Sequence, residues 1–225
     1  MALILNIDTA TEIASISISE KDMIIHSATN TNQKDHASFL QPAIKDLLKK
    51  SHLPINKLNA VAITAGPGSY TGLRVGMASA KGLCYALNIP MITLNTLEVM
   101  ALSTFKQTED KSALYCPMID AKRMEVFTAV YDYQLIQIIE PCAMVLSDKS
   151  FNDTLQTNKI YFSGSGIKKF KEIKDNKRAV FLDTKIGSDA MAQLSYKSYL
   201  KKHFADIYTS SPDYLKEFYT ASKLE

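Results

Sequence analysis

Isoleucines interleave with Ala and Ser over residues 13–18, the period-two signature of a half-buried strand. Before it lies an apolar strand over residues 3–7, interrupted at Asn6. A third strand over 23–27 follows the polar turn Glu20-Lys21-Asp22. From His36 the spacing lengthens. Phe39, Leu40, Ala43, Ile44, Leu47 and Leu48 recur at three- and four-residue intervals, which predicts an amphipathic helix that Pro42 either kinks or opens. A strand over 58–64, a glycine-rich turn, a helix to about residue 87 and a strand over 91–94 come next. A helix from Leu97, capped by Asn95 or Thr96, completes the first half as β-β-β-α-β-α-β-α.

The second half repeats this order. Strands are expected over 113–119, 125–131 and 135–140, then a helix near 147–155 and a strand over 160–163. Helical residues to about 173, a strand over 179–182 and a helix over 188–203 follow. The halves coincide at two chemically distinctive turns. Asp8 and Asp120 each close a first strand, and Gly66-Pro67-Gly68 and Gly164-Ser165-Gly166 each follow a fourth. This is a repeat of topology rather than of residue identity. It predicts the α/β class, two ribonuclease H-like lobes with acidic turns facing a cleft, in the manner of actin, Hsp70 and the sugar kinases. The lobes are expected at 1–105 and 106–225, the second smaller and its last helix packing back on the first.

A composition of 46% hydrophobic and 22% charged residues is that of an ordinary soluble domain. The net charge of +3 is spread along the chain, which argues against unaided, tight nucleic-acid binding. The exception is residues 167–178, where six Lys/Arg meet only Glu172 and Asp175. That stretch reads as solvated helix surface, with an RNA-facing patch as the alternative. Cys84, Cys116 and Cys142 are widely separated, so no disulfide framework or zinc site is expected and a reducing compartment fits. There is neither a leader-like segment nor an apolar run of membrane-spanning length, and a cytoplasmic location is expected.

The most specialised stretch is 65–76, Ala-Gly-Pro-Gly-Ser-Tyr-Thr-Gly-Leu-Arg-Val-Gly. A glycine-rich turn opening a helix presents backbone N–H groups at its positive end, a natural seat for a phosphate. Asp8 either positions a metal or water beside such a phosphate or caps its own turn. Asp120 carries the same ambiguity, with a local ion pair to Lys122 and Arg123 as the alternative. Arg74 lies where the helix dipole disfavours a cation, so it needs a partner: an internal carboxylate by default, otherwise a phosphate or an acidic group on another subunit. The small residues after it let a second helix approach closely.

Five stretches together resemble one family. They are Ile7-Asp8-Thr9-Ala10, His36-Ala37-Ser38-Phe39-Leu40, the glycine-rich stretch 65–76, Asp120-Ala121-Lys122-Arg123-Met124-Glu125-Val126-Phe127 and Pro212-Asp213-Tyr214-Leu215-Lys216. The chain is similar over nearly its full length to the bacterial TsaB (YeaZ) family. That resemblance implies a non-catalytic, activating subunit for synthesis of threonylcarbamoyladenosine on tRNA. It would bind the paralogous catalytic TsaD, with TsaE joining the assembly, and could form a homodimer when alone. Contact with tRNA would be indirect. The implied partner face comprises His36, Phe39, Leu40, Ala43, Leu47, Arg74, Val75 and Ala78. Candidate nucleotide contacts are Asp8, Thr9, Gly66, Gly68, Ser69 and Asp120. No cofactor is required of this chain, and ATP or ADP would lie at or near the partner interface. The catalytic paralogue holds a metal partly through a His-x-x-x-His pair on a helix. Here Leu40 stands four residues after His36, so no metal site and no catalytic residue are expected. The competing readings are an actin-fold small-molecule kinase or ATPase and, more remotely, a metallopeptidase-like protein.

Overall fold

The computed structural model describes residues 2–32, 35–184 and 187–216. The first sheet contains β1 (Leu3–Asp8), β2 (Ala14–Glu20), β3 (Met23–Asn30), β4 (Ala60–Gly66) and β5 (Met91–Asn95), ordered β3-β2-β1-β4-β5. The second contains β6 (Leu114–Asp120), β7 (Glu125–Tyr131), β8 (Gln137–Val145), β9 (Ile160–Ser163) and β10 (Ala179–Leu182), ordered β10-β9-β6-β7-β8. These are the same order read from opposite edges. In each, three antiparallel strands are extended by two parallel ones. The chain therefore has the two-lobed α/β actin-like fold that the repeated pattern predicts.

Helices α1 (His36–Lys50) and α2 (Tyr70–Leu87) cover one face of the first sheet. Leu40, Ile44 and Leu47 of α1 and Met77 of α2 bury against Leu5, Ile7, Ile16 and Ile18, each such side chain contributing about 1.5–3 kcal/mol of burial free energy. Pro42 lies inside α1 rather than in its first turn. In the second lobe α4 (Asn152–Thr157) and α5 (Ile167–Ile173) cover one face around Phe151, Phe162 and Phe170, whose rings meet edge to face.

The remaining helices are exchanged between the halves. Asn95 Oδ1 accepts from the N–H groups of Leu97 and Glu98 and so starts α3 (Thr96–Thr108). Val99 and Leu102 of α3 face the first sheet, whereas Leu97, Met100 and Ala101 face Tyr115, Ile119 and Tyr131 of the second. Helix α6 (Ser188–Leu200) returns to the first sheet, where Ala190, Met191 and Leu194 pack with Ile4, Ala60, Ala62 and Ile92. Strand β8 runs on to Val145 through Pro141 instead of stopping at residue 140. It is an edge strand, and an edge tolerates a residue that cannot donate to the ladder. The expected helix near 147–155 begins only at Asn152, and α6 stops at Leu200. The last residues of the expected second lobe, 217–225, lie outside the described residues. Among the described residues no helix is long and apolar enough to cross a membrane.

Candidate functional site

The loop between β1 and β2 is the centre of the first lobe's polar architecture. Asp8 is buried, and its Oδ1 accepts from the Ala10 N–H at 3.0 Å and the Thr64 hydroxyl at 2.8 Å. Burial pushes its carboxyl above the ordinary range, and the two hydrogen bonds only partly offset this. Thr9 Oγ1 donates to the Gly72 carbonyl at 2.7 Å, and His36 Nε2 donates to the Thr11 carbonyl at 3.0 Å. Asp8 thus caps its own turn and ties it to β4, while Thr9 and His36 tie that turn to α2 and α1.

The glycine-rich stretch closes on this loop. A Cβ on Gly68 would lie 2.2 Å from the Ala10 carbonyl oxygen, and one on Gly72 only 2.0 Å from that of Thr9. A Cβ on Gly76 would lie 2.3 Å from Thr9 Oγ1. The Ser69 N–H donates to the Ala10 carbonyl at 2.7 Å, and its hydroxyl caps α2 by accepting from the Gly72 N–H at 3.3 Å. The β1–β2 loop carbonyls therefore pack directly against this stretch. Gly68, Gly72 and Gly76 stand four apart along one face because that loop rests there. Gly66 has a different neighbour. Its φ of +131° is open to glycine, and a Cβ there would lie 2.3 Å from the Asp213 carbonyl oxygen.

Asp120 repeats the turn-capping role in the second lobe, with Oδ1 accepting from the Lys122 N–H at 2.7 Å. Its ion pair is with Lys169 Nζ at 2.8 Å, not with the side chains of Lys122 or Arg123. The same ammonium donates to the carbonyls of Arg123 at 2.9 Å and Glu125 at 2.6 Å. It pins the turn in which Lys122 and Arg123 both adopt positive φ. Lys174 is buried, its Nζ donating to the carbonyls of Asp148 and Ser150, each at 2.8 Å. Two of the six cations expected on a solvated surface are thus structural. All three cysteines are free, with Cys84 and Cys116 buried.

The expected partner face divides. Leu40, Leu47 and His36 are buried in the lobe and cannot meet another subunit; the apolar stripe that drew attention to them is the stripe covering their own sheet. Phe39, Ala43 and Val75 are half-buried, while Arg74 and Ala78 are exposed. Gln41 of α1 donates to Ser79 of α2 at 3.1 Å, joining the two helices along this outer side. Arg74 has no carboxylate in ion-pair range among the described residues, contrary to the default expectation. Its guanidinium lies 3.9 Å from the Tyr70 ring centroid, and its Nε donates to Tyr214 Oη at 3.1 Å. The Tyr70 and Tyr214 rings are 5.4 Å apart. Tyr70 precedes Arg74 by one helical turn and was legible as a neighbour. Tyr214, 140 residues away, carried no such signal.

Beyond β4 and β5 a cavity of about 270 Å³ opens among Gly66, Thr93, Asn95, Ser210, Ser211 and Asp213. It lies at the carboxyl ends of the strands, where open α/β sheets take ligands. Among the described residues no group of three His, Cys, Asp or Glu side chains is placed to hold a metal.

The family model described as TsaD, tRNA N6-adenosine threonylcarbamoyltransferase, matches residues 23–217. The tRNA threonylcarbamoyladenosine biosynthesis protein TsaB of Bacillus subtilis (strain 168) is 28% identical over 223 residues, covering 95% of this chain and 93% of that relative. The solved YeaZ from Pseudomonas aeruginosa superposes with a TM-score of 0.82 at 21% identity, covering 96% of this chain and all (100%) of that one. An inorganic polyphosphate/ATP-glucomannokinase from Arthrobacter sp. strain KM shares the fold at a TM-score of 0.50 and 11% identity, covering 90% of this chain and 100% of its own.

Proposed function

Since the chain belongs to the TsaD family, in its TsaB (YeaZ) branch, we propose that it serves threonylcarbamoyladenosine biosynthesis on tRNA as a non-catalytic subunit docking a TsaD-type catalytic partner. The observation that carries the docking reading is Arg74. Its guanidinium is stacked on Tyr70 and steered by Tyr214, so it is preorganised on an exposed helix face for a carboxylate or phosphate of a partner. Around it Ala78 and Gly82 keep the face shallow, and Tyr85, 70% exposed, supplies apolar area. Small residues beside an aromatic and an arginine suit a second helix lying close against α2.

The non-catalytic reading is supported by how the acidic turns are used. Asp8 is committed to Ala10 and Thr64, Asp120 to Lys122 and Lys169, and the glycine-rich turn to Thr9 and Ala10. A nucleotide of the assembly is accordingly assigned to the partner or to the interface, not to the glycine-rich turn, and TsaE is assigned to the same assembly. The test is co-elution with the TsaD-type subunit of the same organism, paired with restored tRNA modification. Arg74→Glu and Ala78→Glu should each abolish co-elution while circular dichroism stays unchanged. Wild-type binding by both would overturn the docking face. Sustained ATP turnover by the purified chain alone would overturn the non-catalytic role in favour of a kinase or ATPase.

A further inference from the structure

After α6 the chain runs through residues 201–216 without a further helix or strand. A stretch of that length in a compact protein is seldom passive, and this one is anchored at each stage. The Ala205 N–H donates to the Met91 carbonyl at 2.8 Å, at the start of β5. Asp206 fixes the bend that follows, its Oδ1 accepting from the N–H groups of Tyr208 at 2.7 Å and Thr209 at 3.1 Å. The segment then crosses the carboxyl ends of β4 and β5. There the Asp213 N–H donates to the Ala65 carbonyl at 2.7 Å. The Asp213 carbonyl occupies the space that only a glycine at 66 leaves open. Tyr214 enters the Tyr70–Arg74 cluster. Finally Lys216 Nζ reaches Glu125 Oε2 at 2.6 Å, and Glu125 begins β7 of the second lobe.

We propose that residues 205–216 form a strap across the cleft between the lobes, with Lys216–Glu125 as a latch that fixes how far the lobes open. Three of its anchors, at Met91, Ala65 and the Tyr70–Arg74 pair, are on the first lobe; the Lys216–Glu125 pair reaches the β6–β7 turn of the second. The strap also forms one wall of the 270 Å³ cavity, through Ser210, Ser211 and Asp213. The latch is made to release. Lys216 is 49% exposed, and an exposed ion pair is weak and screened by salt. This inference concerns the chain by itself and does not depend on the docking reading.

The test measures the distance between spin labels on the two lobes of the full chain, at Ala86→Cys and Glu172→Cys, both exposed positions, with Cys142→Ser to leave no accessible native thiol. Lys216→Glu should shift the distance distribution to a longer mean with a broader width. The exchange Lys216→Glu with Glu125→Lys should restore the narrow distribution. Raising the salt to about 1 M should move the wild type towards the single variant, since the screening length then falls to roughly 3 Å. Because Lys216 is exposed, the melting temperature should hardly move. Superimposable distributions for wild type and Lys216→Glu would overturn the latch, as would a charge exchange that fails to narrow the distribution.

Discussion

Gly72 and Gly82 lie in the same helix, and the same substitution should have opposite effects at the two. A Cβ at Gly82 meets nothing within 4 Å. Gly82→Ala therefore exchanges a flexible residue for a helix former and should stabilise by about 0.5–1 kcal/mol. At Gly72 the new methyl would lie 2.0 Å from the Thr9 carbonyl oxygen. The clash is with backbone, so relief requires the loop to move, at about 1–3 kcal/mol for overpacking. Moving it also stretches the Thr9 Oγ1 to Gly72 carbonyl bond of 2.7 Å, worth about 1 kcal/mol more when a buried hydroxyl loses its acceptor. Gly72 stands in the first turn of α2, where the propensity gain is small, so the net change should be destabilising. The two variants should differ by about 2.5–5 kcal/mol. Urea denaturation followed by circular dichroism at low protein concentration reads this directly from the midpoints. A Gly72→Ala midpoint at or above that of Gly82→Ala would show that the glycine spacing does not serve this contact.

Two further outcomes follow from polar groups under strain or burial. Burial raises the Asp8 carboxyl above its ordinary 3.8, so the folded chain holds that proton more tightly than the unfolded one. The associated stability is full below the unfolded pKa and is lost as the pH rises through the folded one. Asp8→Asn keeps the acceptor and cannot ionise, so its urea midpoint should gain on wild type as the pH rises above the ordinary carboxylate range; a difference that does not vary with pH would refute this. Arg123 has a φ of +47°, a conformation that costs a side-chain-bearing residue about 1–2 kcal/mol. Arg123→Gly should raise the thermal midpoint by about 2–4 °C per kcal/mol relieved, and an unchanged or lower midpoint would show that Lys169 and the turn leave no strain to release.

Much of the fold was visible in the residue pattern because sheets and helices carry their own periods. The strands at Glu125–Tyr131, Ile160–Ser163 and Ala179–Leu182 are bounded by turn residues that end pairing locally. The functional surface was less visible. An apolar stripe announces that a helix has a covered face without saying what covers it, so Leu40 and Leu47 were equally consistent with a partner and with β1 and β2. The four-residue spacing of Gly68, Gly72 and Gly76 answers to a close approach by the β1–β2 loop, which the composition of the turn did not reveal. A phosphate seat and a carbonyl-lined loop both call for glycine, and the positions of Thr9 and Ala10 account for the second demand. Charge misled in a similar way. Lys169 and Lys174 look solvated in the sequence, because a cage of backbone carbonyls leaves no trace in side-chain identity. The Arg74–Tyr214 and Lys216–Glu125 contacts join segments that local patterning does not connect.

The exchange of α3 and α6 between the halves has a consequence for synthesis of the chain on the ribosome. Ile4, Ala60 and Ala62 are among the first apolar residues made, yet their cover, Met191 and Leu194, is among the last. Until α6 emerges, that side of the first sheet is covered only in part, by Val99 and Leu102 of α3, and the apolar area left open is the kind that invites misassociation. Cutting the gene between residues 109 and 110, just after α3, would produce two fragments that each lack a layer of their core. They should be insoluble apart and should recover only when produced together, as an interlocked pair.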